Sequence, residues 1–133
     1  MDILSIIYEH LIADEYIKKQ TYDESIEDYR IKYYEYPETG DVINPFIIID
    51  PLDDGSPINF ADNTWTKLDF LIQIEVWTRN RLLTLELANT IRDVMWHDLD
   101  FKQIKGPSEY DDGIFRKADR YRGTLYRDDF DSL

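Results

Sequence analysis

The chain has 133 residues, of which 28 are acidic and 15 basic, and its formal net charge is −13. This length is typical of one domain, and a hydrophobic share of 43% argues against disorder, so we expect residues 1–133 to form a single domain. The negative charge disfavours general binding to nucleic acids and to anionic membranes, and the absence of cysteine excludes disulfides and thiolate catalysis.

The N-terminal segment predicts an amphipathic helix. Asp2 is suited to cap this helix, which we expect to run from residue 2 or 3 to about residue 18, before a polar loop over 19–28. The segment lacks the basic region of a signal peptide, and no apolar run approaches the roughly 20 residues of a membrane span, so we expect synthesis in the cytosol. Apolar residues recur at the spacing of one helix face, namely Ile3, Ile6, Ile7, Leu11 and Ile12.

Three strands are predicted next. Residues 30–36 are rich in Tyr, and residues 45–52 hold a continuous apolar run between prolines, which is typical of a buried strand. The stretch 53–57 contains Asp, Gly and Pro and predicts a loop. Residues 65–77 alternate along a long strand. Its apolar face carries Leu68, Phe70, Ile72, Ile74 and Val76, and its mixed face carries Trp65, Asp69, Leu71, Gln73, Glu75 and Trp77.

A second helix follows the long strand. The apolar stripe after residue 80 predicts a helix that is capped by Thr78 or Asn80. We expect this helix to end near Trp96 or His97.

Two further strands complete the predicted fold. Residues 101–104 predict a short strand, residues 109–113 an acidic loop, and residues 116–127 a final strand. The resulting order is α-β-β-β-α-β-β. Its short connections favour an α+β fold, in which two helices pack on one face of an antiparallel or mixed sheet.

No motif in the sequence predicts an active site. The two histidines, His10 and His97, lie outside any catalytic motif, and His97 suits the C-terminal dipole of the second helix. Phosphate-binding glycine loops and the nucleophile motif GxSxG are absent from the sequence. We therefore expect no enzymatic activity, no cofactor and no bound metal. Acidic pairs in the predicted loops lack the ligand spacing of a calcium site, namely Asp53 with Asp54 and Asp111 with Asp112.

Cations cluster on the final predicted strand, at Arg116, Lys117, Arg120, Arg122 and Arg127. They either pair with nearby acids and protect a sheet edge, or form a charged interface strand in which Arg gives partner specificity. The mixed face around the tryptophans also has two interpretations. It is an assembly surface, or one of the helices covers both tryptophans.

Several stretches, taken in chain order, carry a resemblance to a known family. They are YYEYPET at 33–39, NPFIIIDPL at 44–52, ADNTW at 61–65, the strand 68–77 and ADRYRG at 118–123. Together they resemble a family of small tail-component proteins of long-tailed bacteriophages that infect Gram-positive bacteria, taken as tail terminators or tail-completion proteins. The resemblance covers most of the chain and implies a β-sheet with helices packed against it.

The resemblance also implies a function and a place in the virion. The protein would form a hexameric ring on the last ring of the major tail protein, stop growth of the tail tube and dock to the head-side connector. The ring would be assembled in the host cytoplasm and sit at the neck end of the tail, with DNA passing through its centre. Two other assignments remain open, namely another neck component such as a head-tail stopper, and an acidic mimic of DNA that inhibits a host enzyme.

Two hypotheses about sites follow from the resemblance. First, acids line the lumen of the ring, so that DNA slides past a repelling wall. Second, ring closure needs a heterologous interface, which we place on the final strand and the mixed face. The lumen candidates are Asp53, Asp54, Asp111 and Asp112, and the interface candidates are Arg116, Arg120, Arg122, Trp65 and Trp77.

Overall fold

Residues 2–38, 41–61 and 64–126 are described in a computed structural model, without the side chains of residues 59, 61, 64 and 65. The helices of this part of the chain are α1 (Ile3–Ala13), α2 (Glu15–Thr21) and α3 (Arg81–Leu99). The strands are β1 (Tyr22–Asp23), β2 (Asp28–Tyr29), β3 (Ile31–Tyr33), β4 (Phe46–Ala61), β5 (Thr64–Thr78), β6 (Lys102–Ile104), β7 (Ser108–Asp111) and β8 (Ile114–Tyr126). Among the described helices, none is both long and apolar enough to cross a membrane.

The large sheet has the strand order β3-β4-β5-β8-β6, and β7 also pairs with β8. Only the β3–β4 pair is parallel; the other pairs are antiparallel. The predicted α+β class with a mixed sheet is therefore confirmed. The predicted order α-β-β-β-α-β-β is wrong, because the N-terminal helix is two helices and because β1, β2 and β7 were not expected.

Asp14 divides the predicted first helix. Its backbone is extended, with φ −79° and ψ 123°, and its side chain accepts hydrogen bonds from the backbone N–H groups of Tyr16 and Ile17, each at 3.0 Å. Asp14 thus ends α1 and caps α2, since a capping carboxylate satisfies amides that lack a partner in the first helical turn. The predicted loop over 19–28 is replaced by the end of α2 and the small β1–β2 hairpin.

Strand β4 is twice as long as expected and includes the stretch predicted as a loop. Its pairing with β5 shifts between Pro51 and Asp53 and again between Asp54 and Ser56, so two β-bulges absorb the turn-forming residues. Gly55 has a φ of 131°, a conformation that glycine adopts without strain. Beyond the short β3, no described strand pairs with the outer edge of β4.

The acidic loop predicted at 109–113 is a tight hairpin. β7 and β8 are joined at Asp112 and Gly113, whose φ values are 50° and 82°. Positive φ at both central residues is the signature of the two-residue turn that Asp-Gly favours between antiparallel strands. β8 ends at Tyr126, and Arg127, the predicted end of this strand, lies outside the described residues.

All three helices pack on one face of the sheet, as predicted for two. The core there contains the apolar face of β5, with Phe70, Ile72 and Ile74 at most 2% exposed. Tyr121 of β8 is 1% exposed in the same core, so it lies on the opposite face of β8 from the exposed Arg120 and Arg122. The helices contribute Leu4, Ile7, Leu11, Ile17, Leu87, Ile91 and Met95.

Candidate interaction face

The face of the sheet opposite the helices, here called the outer face, holds both the predicted tryptophans and the predicted arginines. Residues that pair across β4, β5 and β8 share a face, because neighbouring side chains on a strand alternate between faces. In the middle of this face, Asp50 of β4 faces Gln73 of β5, which faces Arg120 of β8. The next rung joins Asp53, Leu71 and Arg122.

At one end of the outer face, Trp77 is 7% exposed. The guanidinium carbon of Arg116 lies 4.4 Å from the Trp77 ring centroid, and the ring of Tyr36 lies 5.7 Å away. Trp77 also packs in a small second core with Val42, Phe46, Ile48 and Ile114. The alternative that a helix covers Trp77 is therefore wrong, since the helices lie on the other face. The corresponding prediction for the Trp65 side chain lies outside the described residues.

A chain of hydrogen bonds leads from this buried end to the exposed middle of the face. Glu75 is 8% exposed and accepts hydrogen bonds from Trp77 Nε1 and Gln73 Nε2, both at 3.3 Å. Gln73 Oε1 in turn accepts from Arg120 Nε, also at 3.3 Å. Because a buried carboxylate needs donors, this chain holds Glu75 and orients the exposed Arg120.

Tyr36 closes the same network from the side of β4. Its hydroxyl donates to Asp50 Oδ2 at 3.2 Å. Burial, followed by its interactions with Glu75 and Asp50, raises the pKa of the Tyr36 hydroxyl above its usual range. The hydroxyl therefore stays a donor at neutral pH.

The exposed arginines keep most of their charge free for a partner. The Arg122 side chain is 57% exposed, and its contact with Asp69 is 4.0 Å, which is the weak limit of an ion pair. Arg116 differs from the exposed arginines, because its side chain is only 23% exposed and contacts both Trp77 and, at 4.0 Å, Asp111. In the described part of the chain, Arg120 has no carboxylate within ion-pair distance. We call Asp50, Asp53, Asp69, Leu71, Gln73, Arg120 and Arg122 the open patch.

The four candidate lumen acids do not form one cluster. Asp53 and Asp54 lie on β4 instead of in the predicted loop, whereas Asp111 ends β7 and Asp112 lies in the turn after it. Strands β5 and β8 separate β4 from β7, so the two pairs are at least about 14 Å apart by strand spacing.

The histidines lie together on the helical side of the molecule. His10 Nδ1 is 3.1 Å from Asp98 Oδ2, with both side chains about two-fifths exposed, and both line a groove between α1 and α3 together with His97 and Asp93. Within residues 2–38, 41–61 and 64–126, no group of three or more His, Asp or Glu side chains is arranged to hold a metal ion.

Sequence reasoning missed Arg30, which is 6% exposed. Its guanidinium donates to the carbonyl oxygens of Gln20, Tyr22 and Pro45 at 2.7, 3.1 and 2.9 Å. Burial lowers the pKa of Arg30, and the nearby Asp23 opposes that shift. Because these carbonyls come from separate segments, no local pattern marks Arg30, which fastens the β1–β2 hairpin to the start of β4.

A groove of about 500 Å³ opens beside Arg30 at the β3 edge of the sheet. We call it the acidic groove, after the four acids among its lining residues. Two bases line it as well, the buried Arg30 and the half-buried Lys32. Those acids and the two exposed aliphatic residues beside them are Asp23, Glu35, Glu38, Asp41, Ile26 and Ile43.

Comparison with known proteins adds no assignment, since no family model matches the chain and its sequence has no significant match among curated proteins.

Proposed function

We propose that this chain is a structural subunit of a phage tail, namely a tail terminator that assembles into a ring and caps the tail tube. The observation that carries the proposal is the open patch, where Arg120 and Arg122 are exposed on a strand that is paired on both sides. The hydrogen-bond chain through Gln73 and Glu75 orients Arg120 before any partner arrives. A pre-oriented side chain loses little entropy on binding, so this arrangement favours a contact surface.

Several pKa shifts of the chain have structural causes. The pKa of Asp2 is lowered by hydrogen bonds from Ser5 at the start of α1, and the pKa of Tyr121 is raised by burial in the core. Helix capping and core packing account for these two shifts.

The acidity of the chain supports a passage for DNA through the ring. A wall of carboxylates repels phosphates, so DNA slides past without binding. Asp53 belongs to the open patch, which we assign to subunit contacts, so we propose only the other three candidates for the lumen. Asp54 lies on β4, whereas Asp111 and Asp112 lie at the β7–β8 turn, so they would line different parts of it. A structure of the assembled ring tests this, and a basic lumen would contradict it.

The partners we propose are the major tail protein on one side of the ring and the head-side connector on the other. Electron microscopy of phage that lacks this protein tests the assignment. A tail terminator predicts tail tubes longer than those of the parent phage, with normal length restored when the protein is supplied from a plasmid. Tails of normal length that fail to join heads would instead assign a neck protein such as a stopper.

The DNA-mimic alternative has less support. A mimic needs carboxylates spaced like phosphates along one surface. The open patch instead combines both charges, with Arg120 and Arg122 on β8 and Asp50 and Asp53 on β4, on the two sides of β5. Titration against host nucleases tests this alternative, and inhibition would overturn the structural assignment.

A further inference from the structure

The two edges of the large sheet differ in charge. Residues 22–44, which surround β3, contain seven acids and two bases, and one of these bases is the buried Arg30. Residues 101–126, which form β6, β7 and β8, contain six bases and four acids. In a chain with a net charge of −13, the β6 side is therefore positive relative to the β3 side.

The positive side has a compact set of exposed residues. Lys102 of β6 pairs with Arg122 of β8, and Ile104 pairs with Arg120, so these four side chains form two adjacent rungs. Ile104 is 48% exposed, and Lys105 follows it on the surface. We call these five residues the basic edge.

The acidic groove complements the basic edge in both charge and apolarity. Its acids surround Ile26 and Ile43, which are 55% and 76% exposed. The basic edge likewise places the exposed Ile104 among cations. Opposite charges on two surfaces steer their association, and burial of the aliphatic side chains adds a favourable free energy.

A single chain cannot join these two surfaces to each other. Strands β4, β5 and β8 lie between β3 and β6, which places the two edges about 19 Å apart by strand spacing. A second copy can join them, because every copy carries both surfaces. Such a contact is heterologous, leaves one free surface at each end, and closes when the rotation between copies completes a ring.

We propose that the basic edge of one subunit binds in the acidic groove of the next copy. This inference rests on the proposed ring and adds the two surfaces that would meet in it. The acidic groove of the neighbouring copy would also supply carboxylates for Arg122, which is weakly paired with Asp69, and for Arg120, which has no ion pair among the described residues. A face-to-face dimer that pairs open patches is the main alternative arrangement.

A charge-exchange experiment tests the pairing. One variant reverses the groove with Glu35→Lys and Glu38→Lys, and the other reverses the edge with Arg120→Glu and Arg122→Glu. We expect each variant alone to lose self-association in sedimentation velocity, and an equal mixture to regain it in alternating order. The matched control, Glu9→Lys with Glu15→Lys on exposed helical positions, should associate like the parent.

Cysteine cross-linking tests the same contact even if the free protein associates weakly. The chain has no cysteine, so Glu38→Cys in the groove and Ile104→Cys on the edge introduce the only thiols. We expect mild oxidation of the double variant to give a series of covalent oligomers, and each single variant to give none beyond a dimer. A double cysteine variant that stays monomeric overturns the proposal, and so does a charge-exchange mixture that regains nothing when the parent protein self-associates.

The proposed function and this inference fail in different ways. If phage without the protein grows overlong tails but the charge-reversed variants still restore normal length, the terminator stands and this interface is wrong. If cross-linking succeeds but the deletion leaves tail length unchanged, the interface stands and the terminator assignment is wrong.

Discussion

Arg116 on β8 lies directly opposite Trp77 on β5, with its guanidinium carbon 4.4 Å from the centroid of the indole ring. The Nε atom of Arg116 is buried and has no hydrogen-bond partner among the described residues. The face of the indole ring therefore supplies its electrostatic partner, since the ring quadrupole attracts a cation. Both residues were predicted as interface candidates, and the structure brings them together within one subunit.

This contact predicts that replacing Arg116 destabilises the protein more than replacing Arg122. Arg116→Met keeps much of the side-chain length but removes the charge, and we expect it to lower the free energy of unfolding by about 0.5–2 kcal/mol. Arg122→Met, at an exposed position, should change it by less than about 0.5 kcal/mol. Urea unfolding of both variants measures the difference, and equal values would show that the Trp77 contact contributes nothing.

We expect substitution of Asp119 to have a larger effect on the free energy of unfolding, because Asp119 is 2% exposed and holds the connection between β6 and β7. Its carboxylate accepts hydrogen bonds from Lys117 Nζ at 2.6 Å, from the Gly106 amide at 3.0 Å and from Gln103 Nε2 at 3.3 Å. Asp119→Ala leaves a partly buried ammonium without its counter-charge, and we expect a loss of about 3–5 kcal/mol.

The double variant Asp119→Ala with Lys117→Met is the control for this effect. It removes both charges, so it should be more stable than Asp119→Ala alone. Denaturant unfolding of the parent, of both single variants and of the double variant gives the coupling energy between Asp119 and Lys117. Strict additivity would contradict the ion-pair explanation.

Gly123 lies in β8 against the fully buried Phe101. A Cβ at this position would be 2.1 Å from Cδ1 of Phe101, which real structures do not tolerate. We expect Gly123→Ala to destabilise the fold by about 1–3 kcal/mol through overpacking. Adding Phe101→Leu should recover part of the loss, whereas Thr124→Ala on the exposed face should have little effect. Thermal unfolding of the set would refute this explanation if Gly123→Ala matched Thr124→Ala.

Two tyrosines predict how stability depends on alkaline pH. Burial, then the hydrogen bond to Glu86, raises the pKa of Tyr16 to about 12, and burial raises the pKa of Tyr33 to about 12. Folding raises these pKa values above the value of about 10 in the unfolded chain. The contribution of the two protonated hydroxyls to the free energy of unfolding is therefore complete below pH 10 and is lost as pH rises from 10 towards 12. Unfolding curves measured from pH 8 to pH 12 should show this fall. Tyr16→Phe should reduce it, and an unchanged slope would exclude Tyr16 as a source.

The sequence predicted the elements whose pattern is local and regular. β5 was recognised from its alternation, and α3 from its apolar stripe with the Asn80 cap, which accepts the Leu83 amide at 3.0 Å. The stretch 53–57 was misassigned, because its composition favours a turn while pairing with β5 imposes a bulged strand. The division of the first helix at Asp14 was missed, although an Asp within a helical pattern is a known capping signal.

The candidate site was predictable only in part, for reasons of distance along the chain. The arginines and tryptophans stood out by type, but the contact of Arg116 with Trp77 depends on a register between strands far apart in sequence. The acidic groove depends on Arg30, whose three carbonyl partners come from α2, β1 and the residue before β4. Such sites arise from tertiary structure, and no period or motif encodes them.

The outer edge of β4 limits how the protein can aggregate. Pro51 and Pro57 offer no amide for a further strand, and the two bulges twist the edge out of a regular ladder. This edge of β4 therefore does not add a regular strand from another copy. Contacts between copies at this edge have to be made by side chains, whose charges discriminate between the right and the wrong neighbour.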